Sequence, residues 1–401
     1  MRLLGTADLH GGLTRYGVQT ATGNSRLDDF EKTLDAFVTY AVENSVDIAA
    51  FAGDTFDTRR EGPRERAIFA KALYRLTSHD IAVVVVPGNH DGTTTVGDPG
   101  THSFRWLSAL NIENVFVATG FARGVVIRTP AGPLNLTALP YPHKRAFDSE
   151  LESLTPEERV LEAGRRLDRA LLEVGNGLDL EPNHRTAPRL FVGHLTVGGA
   201  TAGAEATMSL SWDVAISPEA IEPWDFALLG HIHNQQQVGP RAWYAGSPQF
   251  LDFSAVGQTK GFLDVTFGRG EEPVVTVVDS HPRPMVDVEV SIQEDGSDRY
   301  SVSDIPPGGA IVRAIVRADR RPNTARLASL ISAMRKPDFG GASYVKLHVI
   351  TPERPAQQRI AVTATDDVLT ATAQWLTANG HELDPTMDAA RRLVTEAGGP
   401  A

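Results

Sequence analysis

The chain has 401 residues, a formal charge of −12 and no cysteine. That length exceeds one typical core, so two or more domains are expected. The missing thiols exclude a disulfide framework, thiolate zinc sites and a cysteine nucleophile, leaving His, Asp, Glu and Asn as metal-binding side chains.

The first half alternates strand and helix signals. Leu3–Ala7 reads as a short apolar strand, and Arg26–Asn44 has helical spacing through Leu27, Phe30, Leu34, Phe37, Val38 and Ala41. Asp47–Ala52 is the next strand. Pro63 opens a helix carried by Ile68, Phe69, Ala72, Leu73 and Leu76. Ile81–Val86 is an apolar run without polar alternation, as in a strand covered on both faces. Val115–Ala118, a hairpin over Gly124–Pro140 and a polar helix from Pro156 to Leu172 follow. Arg189–Val192 and Phe226–Leu229 are short strands, and Tyr244–Phe250, Gly261–Phe267 and Val274–Val278 read as closing strands. The result is a layered α/β domain over residues 1–280.

His281-Pro282-Arg283-Pro284 reads as a linker. Beyond it, strands at Met285–Ile292, Ala310–Arg317 and Tyr344–Ile350 with a helix at Asn323–Ala333 make a small α+β domain over 285–360. Amphipathic helices at Thr365–Ala378 and Thr386–Ala397 form a tail over 361–401. No stretch has the roughly 20 apolar residues that span a bilayer, and the N-terminus meets Asp8 before a signal-peptide core can form. A soluble cytoplasmic protein with no membrane contact is expected.

Five segments carry chemistry: Asp8-Leu9-His10, Gly53-Asp54, Gly88-Asn89-His90-Asp91, Gly193-His194 and Gly230-His231-Ile232-His233. Each lies at or just past the end of a strand signal, where open α/β sheets place their reactive crevice. Together they offer three carboxyl groups, one amide and five imidazoles, the donors that hold two divalent transition metals side by side. Residues two apart on a strand share a face, so Asp8/His10 and His231/His233 are each expected to present two ligands from one sheet edge. The glycines suit tight turns close to a metal. Any one segment alone is common and mostly structural; it is the series that points to metal chemistry.

In order and spacing these segments resemble the calcineurin-like metallophosphoesterases, and more narrowly the SbcD-type DNA repair nucleases, the bacterial counterpart of the MRN-complex nuclease. The resemblance implies a layered β-sandwich flanked by helices, with a capping domain and a helical tail. It implies that Asp8, His10 and His233 hold one ion, that Asp54 bridges both, and that Asn89, His194 and His231 complete the second site. His90 is implied to stabilise or protonate phosphate oxygens, with Asp91 orienting it. Archaeal relatives carry a substrate-positioning His where this chain has Asp57; Asp57 is either such a contact or a turn residue. The donor set suits Mn²⁺, Fe²⁺ or Zn²⁺, and the resemblance favours Mn²⁺.

The implied activity is a 3′–5′ double-strand exonuclease and single-strand or hairpin endonuclease, using water activated by two metals, in double-strand break repair on the nucleoid. Residues 281–360 hold 12 Lys+Arg against 9 Asp+Glu. Within them Arg313, Arg317, Arg320 and Arg321 begin a basic run reaching Lys336, either a solvated face or a DNA-backbone contact. No Gly-x-x-x-x-Gly-Lys-Ser/Thr loop is present, so ATP would come from a partner. The resemblance implies an SbcC-type SMC-like ATPase, with residues 365–397 the candidate dock, and homodimerisation, with helices at 64–78 and 102–110 as candidates. Packing within the chain explains the apolar residues of those helices equally well. The rivals are a stand-alone phosphoesterase for nucleotides or small phosphodiesters and a metal-free scaffold on the same fold.

Overall fold

Side-chain alternation along the apolar strands distributes their residues between two cores. In the computed structural model, Leu3, Ile48, Ala50, Val84 and Val86 face a second sheet, where they meet Leu136, Leu190, Val192, Phe226 and Leu228. Leu4, Ala49, Phe51, Val83 and Val85 face the opposite way, onto Phe30, Phe37 and Phe69 of the helices Ser25–Glu43 and Pro63–Thr77. The structure describes residues 1–21, 23–92, 103–142, 151, 153–178, 185–201, 213–292, 298–299, 305–318, 322–351, 368–378 and 383–396.

The first six-stranded sheet runs Val274–Asp279, Gly261–Thr266, Arg2–Thr6, Ile48–Ala52, Ala82–Val86, Val115–Val117. Its last four strands are parallel, as expected for strands joined by helical crossovers. The second sheet runs Gln236–Gly239, Ala242–Tyr244, Phe226–Gly230, Arg189–His194, Gly132–Leu139, Ala122–Thr129. Helix Pro156–Gly177, opened by a reciprocal Thr155–Glu158 cap, covers its outer face through Ala163, Leu167 and Leu171. The fold is thus the α/β sandwich flanked by helices that the sequence implies. The two sheets approach closely at Gly5, where a Cβ would stand 2.7 Å from Leu228 Cδ1, and at Gly230, where one would stand 1.9 Å from Ala52 O.

One local expectation is corrected and one strand was unforeseen. The strand expected over Tyr244–Phe250 is Ala242–Tyr244, ending where the chain turns at Gly246 with φ +66°. Its antiparallel partner Gln236–Gly239 has too polar a sequence to announce itself.

The chain divides into two compact units, Met1–Val316 with Asn323–His348, and Arg317–Pro322 with Val349–Ala401. The first includes most of a four-stranded sheet ordered Asp298–Arg299, Met285–Ile292, Ile311–Arg317, Tyr344–Ile350, together with helix Thr324–Arg335. In the second unit, helices Val368–Ala378 and Leu383–Glu396 pack on each other. Among the described residues no helix is long and apolar enough to cross a membrane.

The linker is pinned by charge. Arg283 forks onto Asp29, with Nη2 donating to Oδ1 at 2.7 Å, and Nη1 donates to the Gly309 carbonyl. Arg26, beside it, donates to Asp29 and to the Phe250 carbonyl. Asp29 is buried between two arginines, so its removal strands both. Asp29→Ala should cost about 3 kcal/mol of stability, measured by denaturant unfolding; a loss below about 1 kcal/mol would show that the pin contributes little.

Candidate metal centre

The parallel ladder of the first sheet continues past its strand ends. Asp8 N–H donates to Gly53 O, His10 N–H to Asp54 O and Gly11 N–H to Thr55 O, each at 2.8–2.9 Å. This zipper runs two loops side by side and brings Asp8, His10 and Asp54 together. The strands themselves stop at Thr6 and Ala52, and Asp8, His10 and Asp54 have φ of 53°, 48° and 49°. His231, one residue past strand Phe226–Gly230, has φ 97°. The expected mechanism of convergence, strand alternation at Asp8/His10 and His231/His233, is therefore replaced by left-handed turns. These are sparsely populated by non-glycine residues and cluster at functional sites.

Glycines make room for this packing. A Cβ at Gly53, where φ is +92°, would lie 2.0 Å from His194 Nδ1, and one at Gly88 would lie 2.1 Å from Asp54 Oδ1.

The structure gathers all seven expected ligand residues. Ligand atoms of Asp8, His10 and His233 lie within 4.8 Å of one another, as do those of Asp8, Asp54 and His194. His194 Nδ1 donates to Ala52 O at 2.8 Å, and its Nε2 faces Asn89 Oδ1 at 3.0 Å and Asp54 Oδ2 at 3.3 Å. His10 places Nδ1 3.1 Å from Asp57 Oδ1, turning Nε2 toward His233 Nε2 at 3.3 Å. His231 Nδ1 stands 3.1 Å from Asn89 Oδ1. With the outer nitrogens of His10 and His194 engaged, the centre is lined by ring nitrogens and side-chain oxygens facing one another. Such a buried set is repulsive without protons or cations, and its N/O composition fits divalent transition metals.

The titration behaviour agrees. Burial pushes the Asp8 carboxyl up, and the charge of Asp54 adds to this. Asp54, although burial opposes ionisation, is held well below the carboxylate range by His194 and His10. Burial works against a charged His194, but Asp54 and Asp8 raise it to about 9. Burial and the neighbouring His10 keep His233 neutral, well below the ordinary histidine value. The carboxylates thus draw positive charge into the centre.

His90 stands beside the cluster, its ring 4.7 Å from that of His10, with Nδ1 2.9 Å from the Asp57 carbonyl. Asp57 therefore touches both histidines, one through its side chain and one through its backbone. Asp91 does not orient His90 by direct contact. Its buried carboxylate accepts from the N–H groups of Gly88, Phe56 and Thr55, which clamps the two loops. Burial and the nearby Asp54 push Asp91 up to about 7.

Arg313 belongs to a different group of side chains: it pairs with Asp287 and lies 5.0 Å over the Phe253 ring. Arg317 falls in the second unit, and Arg320 and Arg321 lie outside the described residues.

Sequence reasoning missed three residues. Asp213 Oδ2 is 2.8 Å from His231 Nε2, and the Tyr141 hydroxyl donates to Asp213 Oδ1. Buried Lys260 donates to the His233 carbonyl and to Gln258 Oε1. Tyr141 had one signal, its place just past the parallel strand Gly132–Leu139. Asp213 and Lys260 had no motif.

A sandwich with carboxylates and imidazoles converging at its parallel strand ends defines a dinuclear hydrolytic centre. A family model described as calcineurin-like phosphoesterase matches residues 1–235. The chain belongs to that family, the metal-dependent phosphoester hydrolases. Three solved structures resemble it. A dimetal phosphatase from Danio rerio is 12% identical, covering 69% of this chain and 98% of its own, with a TM-score of 0.39. TT1561 of Thermus thermophilus is 14% identical over 69% and 98%, with a TM-score of 0.35. GAP50, the anchor in the inner membrane complex of Plasmodium, is 10% identical over 90% and 99%, with a TM-score of 0.38.

Asp91→Ala should lower stability by about 2–4 kcal/mol, because buried N–H donors lose their acceptor. Chemical unfolding measures this. Lost turnover with unaltered stability would instead assign Asp91 to the chemistry.

Proposed function

We propose that the chain is a two-metal phosphodiesterase acting on DNA, an SbcD-type nuclease. The observation carrying this reading is the convergence of ring nitrogens and carboxylate oxygens around Asp54. In this reading Asp8, His10 and His233 hold one ion, Asn89, His194 and His231 the other, and Asp54 both, with Mn²⁺ the favoured metal. Paired cations in such a centre lower the pKa of water and neutralise charge developing on phosphoryl oxygens.

The chain's own residues do the rest. Asp57 fixes His10 through its carboxylate and His90 through its carbonyl. With Nδ1 so engaged, His90 has Nε2 for a phosphoryl or leaving oxygen, which it stabilises by donating a hydrogen bond when protonated. Asp91 keeps the loops carrying Asp54 and His90 in register.

Support for a nucleic-acid substrate comes from a cation–aromatic group on the first unit. Arg15 lies over Tyr16, Lys346 over Tyr16 and Phe253, and Arg313 over Phe253, all within 5.0–5.8 Å. Phe253 is itself buried, so the rings serve to hold the cations in place, and it is the cations that would pair with the phosphates of a strand. The rival small-phosphodiester reading is favoured by the net charge of −12 and by Asp287 neutralising Arg313.

The test uses the purified chain with Mn²⁺ and end-labelled linear duplex. Cleavage and binding that weaken steeply with salt are expected. Turnover of a small phosphodiester without DNA binding would favour the rival. His90→Ala should retain two metals and lose about 10²–10⁴-fold in kcat, whereas Asp54→Ala should lose both ions by elemental analysis. A near-full metal count in Asp54→Ala would overturn the bridging role.

The same reading extends to partners. Val368 and Leu393 are exposed on the two tail helices, which we assign to an SMC-like ATPase, while Tyr74 and Leu110 are exposed on helices assigned to a second copy. Light scattering of Tyr74→Glu should show monomers where the unmodified chain shows dimers, and deletion of residues 365–401 should abolish ATPase association. Unchanged oligomeric state or unchanged association would remove the corresponding contact.

A further inference from the structure

The two ring nitrogens of His231 meet different neighbours. Nδ1 turns to Asn89 Oδ1 at 3.1 Å, and Nε2 turns to Asp213 Oδ2 at 2.8 Å. An ionised carboxylate only accepts, so Nε2 carries a proton, and in the neutral ring Nδ1 keeps the lone pair that faces the centre.

Asp213 is itself held. It is buried, and its other oxygen, Oδ1, accepts the Tyr141 hydroxyl hydrogen bond. The Tyr141 ring also packs against the His231 ring, with centroids 5.4 Å apart. Asp213 enters by way of the short strand Ala215–Ile216, which pairs in parallel with Thr196–Val197, two residues after His194. The segment following one expected ligand thus pairs with the strand just after the carboxylate that backs another.

We propose that Asp213 is the positioning residue for His231, fixing its ring orientation and tautomer so that Nδ1 is the metal-binding atom, with Tyr141 locking Asp213 in turn. This rests on the two-metal reading above. A carboxylate behind a ligating histidine orients the ring and makes it more basic, and losing such a partner typically costs about 10–100-fold in metal affinity.

The experiment titrates Mn²⁺ into the metal-stripped full chain and into Asp213→Ala, Asp213→Asn and Tyr141→Phe by calorimetry. Electron paramagnetic resonance of the loaded proteins distinguishes coupled from isolated Mn²⁺. Asp213→Ala should bind one ion as the unmodified chain does and the second about 10–100-fold more weakly, with the coupled signal giving way to an isolated one. Asp213→Asn retains an acceptor for Nε2–H and should fall between, and Tyr141→Phe should lose only a few-fold. Equal second-site affinity in a folded Asp213→Ala or, should that variant not fold, in Asp213→Asn would overturn the proposal. An unmodified chain binding fewer than two Mn²⁺ would instead overturn the two-metal reading beneath it.

Discussion

The site depends on backbone that L-amino acids avoid. Asp8, His10, Asp54 and His231 all have positive φ, each costing on the order of 1 kcal/mol or more. The strain is offset where it arises. Asp8 and His10 each donate a backbone hydrogen bond to the neighbouring loop, and the His231 N–H donates to the Asp8 carboxylate. One carboxylate therefore faces the centre and also secures the turn that delivers a histidine to it. Catalytic geometry and loop stability cannot be separated here, because the same hydrogen bonds hold both.

The rigid layers beneath make this affordable. Strands Arg2–Thr6, Ile48–Ala52 and Ala82–Val86 are almost wholly buried, since helices cover one face and the second sheet the other. Loops leaving such strands inherit fixed starting points and directions. Gly53 and Gly88 then permit approaches that any side chain would block. The packed sandwich supplies position, and the turns supply direction.

Much of this was legible in the sequence. The both-face burial of Ile81–Val86 was readable from its unbroken apolar run, and the five His/Asp segments were readable because each follows such a run. Why they converge was not readable. Alternation suggested extended backbone through Asp8 and His10, but a period of two cannot reveal that a strand has ended and a left-handed turn begun. Gln236–Gly239 was hidden because an edge strand need not be apolar. Asp213 was hidden for another reason. A lone carboxylate has no local signature, and its place behind His231 follows from a two-residue parallel pairing with the segment after His194, a long-range contact that no window along the chain reports.

Charge sets the remaining constraint on substrate. A chain of net −12 repels a polyanion at long range, so any attraction to DNA must be local. Two sources are at hand. Cations in the centre would neutralise the acids that now raise His194 to about 9. Residues 281–360 reverse the balance to 12 Lys+Arg against 9 Asp+Glu, and Arg313 and Lys346 of that segment stand over Phe253. Salt largely screens exposed charges more than about 10 Å apart at 0.1 M. A small phosphodiester that fits within the centre needs only the first source, whereas a long strand needs both. Salt sensitivity therefore separates the two substrate classes on physical grounds: the cation–aromatic group can matter only to a substrate long enough to reach it.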